Sequence, residues 1–252
     1  MPQADRLIAD HFSTDRFSTD RFSTDRFSRE PAMTTVRTTP ARARTDAPVT
    51  SAVVSPGSGS PGARAGTGRL RLLGAGLAVG ATAYAVPFML YGGEETGSGR
   101  FVIDLSGVFF QLGVFCLLAA MWRTRATGTS RLARAVIVVE SVVLAVATVQ
   151  SLLTLPSMGG EWSAAATALD PFWPLSMLGM AILGVKVAVA GRWRGALRAW
   201  PVVAETWIFV ALPAMALLGP AVGSVIAGGH FVVGYGVLGL LLAVRPDLAV
   251  RD

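Results

Sequence analysis

The sequence predicts an all-α membrane protein in which a bundle of six transmembrane helices follows a disordered N-terminal tail. Hydrophobic residues make up 52% of the 252 residues and charged residues only 15%, which is a poor composition for a water-soluble domain. Beyond residue 70 the hydrophobic residues form six runs of 19 to 24 residues, close to the roughly 20 that a helix needs to cross the hydrocarbon core. Arginines are concentrated in alternate connections between these runs, as in multi-pass proteins.

Residues 1–68 form the predicted tail. The pentapeptide RFSTD recurs in tandem between residues 11 and 28, with a period of 5 that gathers its phenylalanines on no single face of a helix or strand. Residues 33–68 are rich in Thr, Ala, Pro, Ser and Gly, so we expect a flexible, disordered cytoplasmic segment without a signal peptide. Two hypotheses for the repeat stay open: a natural translation start at Met33, which mass spectrometry of the N-terminus tests, and a phosphorylation or docking role.

The six predicted spans lie within residues 69–252, at 72–91, 101–122, 135–155, 172–190, 201–219 and 221–244. Arginines precede the first span, separate the second from the third and the fourth from the fifth, and follow the sixth. The other connections contain one arginine, Arg100. Because cytoplasmic loops retain basic residues, this alternation places both termini in the cytoplasm. The preference for arginine over lysine is typical of a GC-rich bacterial genome, so we expect a bacterial inner-membrane protein.

Ionisable side chains inside the spans are costly in a bilayer, and each is therefore a candidate site residue. Glu140, Lys186 (the only lysine) and Glu205 are expected at one level in the cytoplasmic half, from a rise of roughly 1.5 Å per residue. One interpretation is a buried charge cluster in which Lys186 pairs with Glu140 or Glu205, leaving the second carboxylate free to exchange protons. The alternative is that Lys186 snorkels to the headgroups and that Glu205 lies in a first helical turn, where the helix dipole favours an anion.

A second group of polar residues marks a candidate pathway or helix contact. Its members are Asp104 and Gln111 in the second span, Gln150 and Ser151 in the third, and His230 in the sixth. Three roles are open for His230: a ligand contact, a proton relay, or a hydrogen bond between helices. Small residues spaced four apart, as at Gly76 and Gly80, predict close approach of two helices.

Several classes of protein are disfavoured. Cys116 is the only cysteine, so no intramolecular disulfide forms, and the sequence lacks the HExxH, P-loop, GxGxxG and GxSxG motifs. We therefore expect neither a metal, a cofactor nor an enzymatic activity. The arginines are scattered between apolar runs, which argues against a nucleic-acid partner. The lipid bilayer is the expected partner, with a homo-oligomer or another membrane protein left open.

The stretch DPFWPLSMLGMAILGVKVAVAGRWRGALRAWPVVAETWIFVALPAM, with its tryptophan- and arginine-containing loop between two spans, resembles small, uncharacterised multi-span membrane proteins of high-GC bacteria. The resemblance implies an integral membrane protein and carries no activity over to individual residues. We expect a non-enzymatic structural, regulatory or partner-binding role. The alternative is a small transporter or proton-coupled permease that uses the Glu140, Lys186 and Glu205 group.

Overall fold

The computed structural model describes residues 61–250, and within that range its regular structure is helical throughout. Its α-helices are α1 Pro61–Tyr91, α2 Ser98–Thr124, α3 Arg131–Thr154, α4 Ala164–Leu169, α5 Phe172–Ala190, α6 Ala196–Glu205, α7 Trp207–Phe231 and α8 Val237–Val244. Short 3-10 turns cover Leu155–Ser157 and Pro246–Leu248, and a π-helical segment, Val232–Gly236, joins α7 to α8. The predicted disordered tail lies outside the described residues up to position 60. Its last part, 61–68, is already helical.

Five helical stretches among the described residues are long and apolar enough to cross a membrane: Gly66–Tyr91, Ser98–Thr124, Arg131–Ser157, Ala164–Ala190 and Ala196–Val244. The first four contain the first four predicted spans. The fifth is 49 residues long and contains the last two predicted spans together. The chain therefore has the helices of a multi-pass membrane protein. By length and composition these helices count as five stretches, whereas the sequence predicted six spans.

The fifth stretch folds back on itself at Gly219. This residue has φ 78° and ψ 166°, a backbone conformation that essentially only glycine adopts. In a continuous helix, residues 203 and 230 would be about 40 Å apart, yet His230 Nε2 lies 3.2 Å from the Val203 carbonyl oxygen. The stretch is thus a hairpin of two antiparallel helical arms, 196–218 and 220–244.

Close contacts between small residues hold α1 in place. A β-carbon at Gly80 would lie 2.7 Å from the Phe109 carbonyl oxygen of α2, so the predicted contact at Gly76 and Gly80 is an α1–α2 contact. On another face of α1, a β-carbon at Gly239 of α8 would lie 2.5 Å from the Ala78 backbone nitrogen. Such backbone approach is what stabilises helix pairs in lipid, where burial of apolar surface adds little.

The two ends of the helices differ in charge. We call "acidic end" the loop 92–97 together with residues 158–171, which carry Glu94, Glu95, Glu161 and Asp170. Its two parts are joined by a hydrogen bond from the Gly97 backbone N–H to the Met158 carbonyl.

We call "arginine end" the loops 125–130 and 191–195 with residues 245–250. Here the fully buried Trp193 donates its indole N–H to Thr124 Oγ1 at 2.9 Å. Arg194 donates to the carbonyl oxygens of Asp247 and Val250, so this one arginine also holds the chain's last described residues in place.

Candidate functional site

A cavity of about 310 Å³ lies between α1, α2, α3, α5 and the end of α7, and it extends to the acidic end. Aromatic side chains form one part of its lining: Tyr84, Phe88, Phe110, Trp162, Trp173 and Phe231. Polar side chains form the other: Arg100, Asp104, Gln111, Gln150, Ser151, Thr154, Asp170 and Ser176. Four of the five residues predicted as a polar pathway, Asp104, Gln111, Gln150 and Ser151, therefore face one shared space.

Gln111 lies deep in the cavity wall. It is 13 residues into α2, roughly 20 Å from the helix start, and only 4% of it is exposed. Its Nε2 donates to Ser151 Oγ at 2.9 Å, while the Ser151 hydroxyl donates its single hydrogen to the Ala147 carbonyl at 3.1 Å. Because Ser151 can therefore only accept from Gln111, the orientation of the amide is fixed. The other amide atom, Gln111 Oε1, has no hydrogen-bond partner among the described residues.

Charged groups lie nearer the acidic end of the cavity. Arg100 Nε is 3.0 Å from Asp104 Oδ1, one helical turn further along α2, so these two charges balance each other. Gln150 Nε2 lies 3.5 Å from Asp170 Oδ1, a long hydrogen bond. Asp170 forms no ion pair with any residue of the described range, and it is exposed.

Glu140 lies directly behind the cavity wall. It is 3% exposed and accepts a hydrogen bond of 2.6 Å from Ser176 Oγ, and Ser176 itself lines the cavity. A β-carbon at Gly179, one turn beyond Ser176, would overlap the Glu140 carboxylate, so the glycine leaves the space that this group occupies. Ser176 and Gly179, three residues apart on one face of α5, were the sequence signal for this contact. The prediction did not use that signal.

Glu205 is the second buried carboxyl group, 9% exposed, and it accepts a hydrogen bond of 2.6 Å from the Tyr235 hydroxyl. Helical geometry is interrupted at both partners, since α6 ends at Glu205 and Tyr235 lies in the π-helical segment. Trp200 Nε1 donates to the carbonyl oxygens of Val233 and Gly234 at 3.0 and 3.1 Å, which helps to satisfy the backbone of that segment.

Lys186 does not join these carboxylates. It is half-buried and forms no ion pair or hydrogen bond with the described residues. It also lies 10 residues beyond Ser176 on α5, roughly 15 Å along the helix, so the expected common level of Glu140 and Lys186 is wrong. The buried face of α5 contains Ser176, Met180, Leu183, Gly184 and Val187, and Lys186 falls beside it. The carboxylates instead take hydroxyl partners.

His230 connects the two arms of the hairpin. Its Nε2 lies 3.2 Å from the Val203 carbonyl oxygen and 3.4 Å from Thr206 Oγ1. This is the geometry of a hydrogen bond between helices, the third of the roles open to this residue.

Sequence reasoning missed Ser176, Tyr235, Asp170 and the aromatic lining of the cavity. Ser176 is the one hydroxyl in α5, which is the signal that was available. Within the described range, no group of three or more His, Cys, Asp or Glu residues is placed to hold a metal ion. No protein-family model, curated protein or solved structure matches this chain.

Proposed function

We propose that this chain is a six-span protein of a bacterial inner membrane, with the arginine end in the cytoplasm and the acidic end outside. The hairpin supports six crossings, because each of its arms, 196–218 and 220–244, exceeds the roughly 20 residues that one crossing requires. The orientation follows from the distribution of basic residues, which are retained on the cytoplasmic side.

Within that membrane we propose that the protein is a small, proton-coupled permease. The observation that carries the proposal is the hydrogen bond between Ser176 and Glu140, because it places a buried carboxyl group one contact away from a solute-sized cavity. Buried carboxyl groups without a cationic partner serve as proton-exchange sites in pumps and transporters. A shared wall lets the proton and the solute influence each other's binding.

The interrupted helices around Glu205 support the same function. Thr206 breaks the helical geometry between α6 and α7, and the π-helical segment Val232–Gly236 lies opposite. Discontinuous helices near the bilayer midplane are typical of transporter sites, and π-helical turns are frequent at functional positions. The Glu205 and Tyr235 pair therefore occupies a region suited to conformational change.

The first expectation from sequence, a non-enzymatic structural, regulatory or partner-binding role, stays a prediction. The permease ranks above it because a purely structural bundle has no need of a polar cavity with an unsatisfied amide oxygen. The permease uses Glu140 and Glu205 with their hydroxyl partners, and Lys186 has no part in it.

Solute uptake into proteoliposomes tests the proposal. The panel contains four polar solutes that differ in charge: tyramine, proline, glutamate and sorbitol. We expect at least one of them to accumulate above the level in empty liposomes when a pH gradient is imposed in one direction or the other. A protonophore should abolish that accumulation. Failure of all four solutes under both gradients would contradict a permease.

A further inference from the structure

We propose that the cavity binds a small organic ammonium ion that has at least one N–H group and an apolar or aromatic body. If this ion is the transported solute, that identity rests on the proposed permease function. As a binding site, it rests on the hydrogen-bonding capacity, the charge and the shape of the cavity.

The hydroxyl groups that line the cavity have already used their hydrogens. Ser151 donates to the Ala147 carbonyl at 3.1 Å, Thr154 to the Ser151 carbonyl at 2.8 Å, and Ser176 to Glu140 at 2.6 Å. A hydroxyl has one hydrogen and two lone pairs, so each of these groups can offer a ligand only an acceptor. The three hydroxyl groups on the wall formed by α3 and α5 therefore accept hydrogen bonds from a ligand and do not donate them.

Gln111 Oε1 adds an acceptor that lacks any donor. It belongs to a side chain that is 4% exposed, lines the cavity, and is held in place by the bond from its Nε2 to Ser151. A buried acceptor without a partner is unfavourable, and a ligand N–H group would remove that penalty. This oxygen therefore selects for a donor.

The charge of the cavity favours a cation. Arg100 is matched by Asp104, which leaves the carboxylate of Asp170 without a described counter-ion. Glu94, Glu95 and Glu161 are exposed in the same acidic end, to which the cavity extends. Like charges grouped at an opening raise the local concentration of the opposite ion.

The aromatic lining suits the body of such a ligand. Tyr84 and Phe110 both meet Phe231 edge to face, with ring centroids 5.0 and 5.2 Å apart, so rings of different orientation border the same space. Aromatic faces attract ammonium groups as well as apolar surface. A volume of about 310 Å³ lies at the lower end of the range for ligand pockets, which limits the ligand to a small amine.

Calorimetric titration of the full-length protein in lipid nanodiscs tests this inference, with empty nanodiscs as the blank. The probes share a phenyl ring and differ in the head group: phenethylammonium, phenethyl alcohol, 3-phenylpropionate and benzyltrimethylammonium. We expect phenethylammonium to bind about tenfold more tightly than the alcohol, and the propionate not to bind. Benzyltrimethylammonium should bind more weakly than phenethylammonium, because it has no N–H group for Gln111.

Two variants locate the site. Gln111→Leu should weaken phenethylammonium about tenfold and leave benzyltrimethylammonium unchanged, a difference that misfolding could not produce. Asp170→Asn, at an exposed position, should weaken both cations. Ser141→Ala, in an apolar groove outside the cavity, is the matched control and should change neither.

The inference is overturned if 3-phenylpropionate binds as tightly as phenethylammonium, if no probe binds, or if Gln111→Leu weakens both cations equally. Its failure is separable from that of the permease. Uptake of a panel solute without phenethylammonium binding would leave the permease standing and remove the ammonium ligand. Binding of phenethylammonium without uptake of any panel solute would leave the ammonium site standing and remove the permease.

Discussion

Replacing Glu140 by glutamine is expected to lower pH-gradient-driven solute uptake into proteoliposomes at least tenfold. The amide has nearly the same shape as the carboxyl group, and its oxygen still accepts the hydrogen bond from Ser176. It cannot exchange a proton, so only the coupling should be lost. Exchange of labelled for unlabelled solute at equal pH on both sides should therefore continue at close to the wild-type rate.

Asp247→Asn provides the control for this experiment, because Asp247 is an exposed carboxylate at the arginine end, outside the cavity lining, and should have little effect on coupling. The thermal unfolding temperature of both variants should stay close to that of the wild type. Wild-type coupling in the Glu140→Gln protein would remove Glu140 from the mechanism. Loss of exchange together with loss of uptake would assign it to solute binding instead.

Gly239→Ala is expected to destabilise the folded protein by about 2–3 kcal/mol. The new β-carbon would lie 2.5 Å from the Ala78 backbone nitrogen and 2.6 Å from the Gly74 carbonyl oxygen. These are backbone atoms of α1, which cannot move aside as a flexible side chain can. Helices α1 and α8 would have to separate, and close packing between them is what holds them together in lipid.

Gly229→Ala is the matched substitution for that test. The nearest atom to its β-carbon would be the flexible end of Met89, at 4.0 Å. Alanine is also the better helix former, so this variant should be as stable as the wild type or slightly more stable. Unfolding by heat or by SDS in mixed micelles measures both. Equal stability of the two variants would show that α1 and α8 are not packed as described.

Much of the fold follows from the length and polarity of the apolar runs. The first four membrane-length stretches match the first four predicted spans to within a few residues at each end. The exception is the start of the fourth stretch, which also includes the short helix α4. The contact at Gly76 and Gly80 was also predictable, because small residues spaced four apart present one smooth helix face. The reversal at Gly219 also follows from the sequence, because the fifth and sixth predicted spans meet there, and the φ of 78° and ψ of 166° at Gly219 lie at that position.

The candidate site was only partly predictable. Asp104, Gln111, Gln150 and Ser151 were found because polar side chains within apolar runs are conspicuous. The position of Lys186 was misjudged because depth was counted from the helix ends, and helices in a bundle are shifted relative to one another along their axes. The hydrogen bond between Ser176 and Glu140 depends on how far α3 and α5 are shifted along their axes. That shift cannot be read from the sequence of either helix alone.

Cysteine labelling from the outside of the cell tests most directly whether a solute-binding cavity opens there. In a Cys116→Ala background, Gly107→Cys places a thiol on the cavity wall, where the new β-carbon would lie 3.8 Å from the Tyr84 ring. Ser141→Cys places a thiol in the apolar groove between α2 and α3. A membrane-impermeant maleimide applied to spheroplasts is predicted to label position 107, more slowly when phenethylammonium is present, and not position 141. Labelling of position 107 only in inside-out vesicles, or only after denaturation, would contradict the account.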